Sequence, residues 1–227
     1  MDLYKRIIVA CLFVYCSVGV VSAQNNVLFV GARAGVNTSV VLQEITPEGF
    51  VVVGKHVGYN FGPTIHFEPK LFFGINSAII FNSTGWIDKT GEVFDTLLYR
   101  KDVFKNIQIP LTVSLKFGIG EYGRIVIEGG GYAQYTLSGY SDFKDLSGQI
   151  HKKAVDWIQW NESDSEYDIS YKRMNMGAVF GVGFQHKCIY IGANYNLGLF
   201  NITKNELCLH NHIWNMYVIV RTWKRKT

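Results

Sequence analysis

The stretch I-Q-I-P-L-T-V-S-L-K-F, residues 107–117, alternates from end to end. Ile107, Ile109, Leu111, Val113, Leu115 and Phe117 fall on one side of an extended chain; Gln108, Pro110, Thr112, Ser114 and Lys116 fall on the other. Successive side chains of a strand point to opposite faces, so this is a β-strand with one wholly apolar face. Pro110 has no N–H to give to a ladder, which predicts a bulge or local break near it.

Seven more segments repeat the period, at about 27–37, 54–67, 71–81, 125–137, 173–185, 189–198 and 214–221. In the first, Leu28, Val30, Ala32, Ala34 and Val36 oppose Gly31, Arg33, Gly35 and Asn37. In the last, Trp214, Met216, Val218 and Val220 oppose Asn215, Tyr217 and Arg221. The third is less clean, because Phe72 and Ile80 sit on its second face.

The make-up of the two faces decides where each points. A strand face meeting bulk water is usually rich in Lys and Glu. Here the polar face is mostly Gly, Asn, Gln, Thr and Ser, with sparse charges at Arg33, Glu128, Arg173 and Arg221. Small residues and a few pairable charges suit a crowded interior. The apolar face is almost free of charge, Lys55 at one end excepted. Lipid demands that, since Lys or Arg near the bilayer midplane costs about 2–4 kcal/mol. Phe67, Phe117 and Phe184 gather at one rim of this face, and Phe81, Tyr135 and Trp214 at the other, as interfacial girdles do. The reading is an all-β, eight-stranded antiparallel up-and-down transmembrane barrel. Arg33, Glu128, Arg173 and Arg221 are expected to form its lumen ion-pair network, with Glu128 bonded to at least one arginine.

The connections run alternately long and short: 38–53, 68–70, 82–106, 118–123, 138–172, 186–187 and 200–212. Short periplasmic turns and longer outer loops are expected of an outer-membrane barrel with both termini inside. An even strand number closes the sheet, so every backbone amide is paired in lipid. The N-terminus names the same destination. Lys5 and Arg6 precede an uncharged apolar run over 7–21, and Val21-Ser22-Ala23 offers small residues before Gln24. That order predicts a secretory signal over residues 1–23, cut after Ala23, and a barrel domain over 24–227. The expected location is the outer membrane of a Gram-negative bacterium, among its lipids and lipopolysaccharide. With net charge +4 and basic residues scattered apart from Lys224-Arg225-Lys226, no nucleic-acid footprint is present.

The chain also resembles the PorT-like outer-membrane β-barrel family over nearly its whole mature length. The resemblance rests on V-G-A-R-A-G-V-N-T-S ending at Ser39, the Ile109-Pro110-Leu111 strand, I-E-G-G-G-Y-A-Q-Y-T-L-S-G, M-G-A-V-F-G-V-G-F-Q and I-G-A-N-Y-N-L-G-L-F-N-I ending at Ile202, in that order. Barrels of this kind often end on an aromatic residue, whereas here Trp223 is followed by Lys-Arg-Lys-Thr. The family resemblance implies location and fold, no reaction, and a link to protein secretion.

Candidate chemistry is sparse. His151, Asp156 and Ser147 form the one set near a rim that could serve catalysis, and loop composition accounts for it. No catalytic residue and no cofactor are assigned. Glu162, Asp164, Glu166 and Asp168 alternate, so an extended chain would aim four carboxylates one way, towards Ca²⁺ or divalent-bridged lipopolysaccharide. The loop lacks the glycine of a calcium-binding turn, and a solvated acidic tip is the plainer reading. His210 and His212 share a side, but two ligands make a poor metal site. The Asn82, Asn161 and Asn201 glycosylation patterns mean little in a bacterial envelope. Trp157 and Trp160, in the longest loop, either pack within a hairpin extending the barrel or dock an envelope or secretion-system protein or a glycan. Cys188 starts a strand and Cys208 lies beyond its far end, about 30 Å apart, too far for a disulfide. Three functions stay open: a non-enzymatic structural or anchoring barrel, a small-solute channel, and a secreted lipocalin-like binder.

Overall fold

The computed structural model of the chain describes residues 27–45, 49–88, 97–145, 148–154, 171–203 and 209–226. Ten strands occur among them: β1 Val27–Ile45, β2 Gly49–Lys70, β3 Phe73–Ala78, β4 Ile80–Asp88, β5 Leu97–Gly118, β6 Arg124–Asp145, β7 Ile150–Ala154, β8 Met174–His186, β9 Ile189–Gly198 and β10 Leu209–Lys226. All pair antiparallel, and β10 returns to β1, closing the sheet. β3 and β4 are two lengths of one stave, and β7 is a short hairpin arm on β6 above β8. The ring therefore has eight staves. Closure leaves no edge to expose backbone donors and acceptors, the condition for crossing a bilayer with strands.

Burial follows the parity read from the sequence. Leu111, Met176 and Val218 are exposed on the outer surface, at 62%, 42% and 42%, whereas Gln134 and Asn175 are buried inside, at 4% and 5%. The barrel is apolar outside and polar within. On the outer face Tyr59, Phe61 and Phe81 stack in sequence, with centroids 6.0 and 5.7 Å apart, and Tyr195 packs on Trp214 at 4.5 Å. These rings fall at the rim where the girdle was expected.

The break foreseen near Pro110 falls on its neighbour. β5 runs through Pro110, while the adjoining stave lapses at Ile79, between β3 and β4, and resumes in the same register. A missing N–H removes a bond from the partner strand, and no residue is inserted. Ser77 Oγ donates to the Pro110 carbonyl at 3.0 Å across the gap.

Several boundaries move. Glu68 to Lys70, expected as a turn, complete β2; the turn is Leu71–Phe72, and the third stave starts at Phe73. The long connections are largely ladder: β1 and β2 pair as far as Ile45 and Gly49, and β4, β5 and β6 rise to Asp88, Leu97 and Asp145. A hydrocarbon band of about 25 Å occupies only about ten residues of a tilted strand. Above it nothing requires strict alternation, so the pattern fades while the ladder continues. At the other end, Lys224-Arg225-Lys226 belongs to β10 and pairs with Phe29, Leu28 and Val27.

Candidate functional site

The lumen is filled in layers. At the short-turn end, Glu68 on β2 accepts from Lys116 on β5 and from Arg221 on β10 at 2.8 Å, with Arg124 at 3.6 Å. The Lys116 and Arg221 side chains are almost fully buried, so the carboxylate between them offsets charges that would otherwise lie unpaired out of water. Arg221 also lies over the Phe29 ring, 4.7 Å from its centre.

Aromatic residues fill the next layer. The Tyr217 hydroxyl donates to Glu128 at 2.6 Å, and the Arg33 guanidinium lies 3.6 Å from the centre of the Tyr217 ring. Arg33 Nε donates to Asn60 Oδ1 at 3.0 Å. Tyr190 packs beside Tyr217, with centroids 5.9 Å apart. The glycines of β8 and β9 make room for these rings. A Cβ on Gly192 would come 2.6 Å from Tyr190, and one on Gly183 would collide with the same ring. Beside this layer lies a cavity of about 30 Å³ lined by Arg33, His66, Thr112, Glu128 and Asn194, room for about one water.

Amides cross-link the third layer. Asn215 donates to Asn194 at 2.8 Å, Asn82 to Gln108 at 2.8 Å and Asn106 to Asn82 at 3.0 Å, while Thr136 donates to Asn106 at 2.8 Å. An amide both donates and accepts, so a ring of them ties staves together without burying net charge.

Above the hydrocarbon, at the long-loop end, the lumen closes on Asp102. Its carboxylate accepts from Arg100 at 3.0 Å, from Tyr171 at 2.6 Å and from Ser141. Trp86 Nε1 donates to the Tyr171 hydroxyl at 3.3 Å, and Phe104 meets the Tyr171 ring edge-on at 4.8 Å. Burial pushes the Asp102 carboxyl up from its usual range, against the pull of Arg100 and Tyr171, and lifts the Tyr171 hydroxyl well above its own. Leu209, Ile213 and Val41 complete this plug as buried apolar residues.

The expected ion network is therefore corrected. Arg33 and Arg221 are buried in the lumen, but no arginine lies within salt-bridge distance of Glu128 among the described residues; its carboxylate is bonded to Tyr217. Arg221 turns instead to Glu68. Arg173 is not a lumen residue: it precedes β8 at a bend that breaks the alternation, and it donates to the Tyr135 hydroxyl at 3.4 Å on the outer side. Glu68, Lys116, Arg124 and the Asp102 cluster were missed. Parity alone would have recovered Glu68, which follows Thr64 and His66 on the inward side once β2 is carried to its true end.

The remaining candidates scatter. His151 lies exposed on β7, whereas Ser147, Asp156, Trp157, Trp160, Glu162, Asp164, Glu166 and Asp168 lie outside the described residues. The β6–β7 pairing does make the start of that loop a hairpin extending the barrel. Among the described residues no group of three or more His, Cys, Asp or Glu side chains is gathered to hold a metal. His210 and His212 lie two apart on β10, and His212 Nδ1 is bonded to the Tyr195 hydroxyl. Cys188 is free and exposed, while Cys208 lies outside the described residues.

Comparison with known proteins gives one sequence-level match: the model of the family described as outer membrane protein beta-barrel domain matches residues 22–204. No curated protein gives a significant match. Among solved structures, similar chains include Ail, the attachment invasion locus protein of Yersinia pestis, at 16% identity over 87% of this chain and 99% of that one, TM-score 0.40. Neisserial surface protein A (NspA), a Neisseria protein, matches at 10% over 84% and 97%, TM-score 0.39. OprG from Pseudomonas aeruginosa matches at 10% over 90% and 96%, TM-score 0.31.

Proposed function

Because the chain belongs to the outer membrane protein beta-barrel domain family, we propose that it is a non-enzymatic anchor of the Gram-negative outer membrane whose long-loop end faces outward and holds a partner. The observation that carries this reading is the combination of side chains packed across the lumen at Glu68, Tyr217, Asn215 and Asp102 with staves that continue far beyond the hydrocarbon band. Eight strands enclose space for side chains and little else. The extensions, packed around Asp102, Tyr171 and Trp86, make a firm base for the outer loops. A barrel that only sealed itself would need no buried polar plug above the membrane.

Export follows the N-terminal pattern, with the mature chain starting at Gln24, which mass spectrometry of the purified protein would register. The similarity to the PorT-like family supports a secretion-system protein as the partner, met through Trp157 and Trp160, with lipopolysaccharide around the wall. Glu162, Asp164, Glu166 and Asp168 read as a solvated tip to the same loop. Tagged protein carrying Trp157→Ala and Trp160→Ala should enter the membrane normally yet lose a partner that the unaltered protein retains in envelope extracts. Undiminished capture would remove the two tryptophans from the proposal.

A further inference from the structure

The outer surface of the long-loop end carries a charge pattern that the lumen does not explain. The outward apolar run of β2 spans 57–67 and that of β5 spans 107–117. Each climbs about 25 Å on a tilted strand, the full height of the apolar band. Lys55 and Lys105 are the next outward residues, two positions above Val57 and Ile107, and both are exposed. Two residues of a tilted strand rise about 5 Å, which sets both lysines in the headgroup zone, roughly 5–8 Å deep beyond the hydrocarbon. Neither is paired with a carboxylate among the described residues.

The charge continues upward. Lys101 lies four residues beyond Lys105 on β5, on the order of 15 Å above the hydrocarbon. The ladder sets it opposite Asp142 on β6, which in turn faces Lys152 on β7, and Lys144 follows two residues further up β6. Lys55, Lys101, Lys105, Lys144 and Lys152 thus stand against Asp142 alone among the outward side chains described on these strands above the band.

Height decides the occupant. A phospholipid offers its phosphate at the lower level and nothing at the upper. An acidic protein would meet the upper level, but it would have to displace lipid to reach Lys55 and Lys105. Lipopolysaccharide carries phosphates on the sugars that bear its acyl chains and acidic sugars above them, so it presents anions at both levels. Val57 and Tyr59, 69% and 50% exposed just beneath Lys55, offer the acyl chains an apolar surface.

We propose that the outer rim of β2, β5 and β7 is a lipopolysaccharide-binding site, Lys55 and Lys105 holding the phosphates at the lipid boundary and Lys101 and Lys152 the acidic sugars above. The site rests on the outward orientation of the long-loop end proposed above, and surface labelling keeps the two readings apart.

The test uses the full mature chain folded in detergent micelles, with bound lipid read by native mass spectrometry. The probes are lipid A, lipid A bearing the acidic inner-core sugars, dephosphorylated lipid A and phosphatidylglycerol. Lys55→Gln, Lys105→Gln should weaken lipid A binding about thirtyfold, since each lysine near an anionic surface counts for about a factor of five. Lys101→Gln, Lys152→Gln should weaken binding of the sugar-bearing form and leave lipid A itself unchanged. The control Lys70→Gln, Lys187→Gln, altered at the short-turn end, should bind both as the unaltered chain does. All variants should keep the heat-dependent gel mobility of a folded barrel. Equal binding of dephosphorylated lipid A or of phosphatidylglycerol would overturn the site, as would a loss caused by the control. Saturable binding of a polyglutamate peptide without lipid A binding would overturn it in favour of an acidic protein. On whole cells, an impermeant thiol reagent should reach Lys152→Cys in a Cys188→Ser, Cys208→Ser background. No labelling there would sink the orientation and the site together, whereas labelling without lipid A binding would sink the site alone.

Discussion

Glu68 faces three cations in a part of the lumen where water is scarce. Removing its charge would leave Lys116 and Arg221 buried without an anion, the case in which losing half of a buried pair costs about 3–5 kcal/mol. Glu68→Gln should therefore lower unfolding stability in lipid vesicles by about that much, measured by urea titration. Adding Lys116→Met should return part of the loss, because the second substitution deletes a stranded charge. A change below about 1 kcal/mol would mean the plug is hydrated and weakly coupled. Sequence exposed half of this arrangement. Parity puts Arg33 and Arg221 inside without reference to any other strand. It gives no heights, and the stagger of a closed sheet decides which charges meet. Arg221 stands level with Glu68, from a strand at the other end of the chain, and Glu128 lies closer to Tyr217.

β5 shows what a single strand discloses and what it conceals. Its membrane part, 107–117, announces itself because lipid on one side and a packed lumen on the other impose opposite chemistries on neighbouring residues. The rest of its 22 residues, from Leu97 up, lies where neither side is lipid, and there Asp102, Val103 and Phe104 are all buried in succession. No period-two rule can find a strand buried on both faces, so the extensions read as loops. The same contrast supplies a test. Leu111→Arg, at the middle of the outer face, should cost about 2–4 kcal/mol of stability in bilayers. Ile150→Arg on β7, equally exposed but above the membrane, should stay within about 0.5 kcal/mol, as surface changes do. Equal costs would erase the boundary between membrane and extension.

Taken whole, the described residues form a closed wall around an interior occupied by polar and aromatic side chains, and two consequences follow. Cys188 sits in a turn at one end, bonded through its carbonyl to Arg221, and β10 begins twelve residues up the same stave, at Leu209. That separation is about 40 Å of extended chain, against the roughly 7 Å that a disulfide tolerates between Cα atoms. Mild oxidation should therefore yield no link between Cys188 and Cys208 of one molecule, and peptide mapping under non-reducing conditions would reveal one if the stave order were wrong. The second consequence concerns conduction. Tyr190 and Tyr217 are buried side by side in the lumen, with Arg33 stacked on Tyr217 and Glu128 bonded to it, which narrows the passage at that level. The unaltered protein should give no steady current in planar bilayers. Tyr190→Ala, Tyr217→Ala removes the rings of that layer but leaves the Glu68 plug below it and the amide layer and the Asp102 plug above it, so it should still hold the membrane tight. Discrete openings should appear only when Asn106→Ala, Gln108→Ala and Asn215→Ala in the amide layer, Asp102→Ala and Tyr171→Ala above it, and Glu68→Ala and Lys116→Ala below are added. Openings from the tyrosine variant alone would show that one layer seals the barrel and that the two end plugs serve some other purpose.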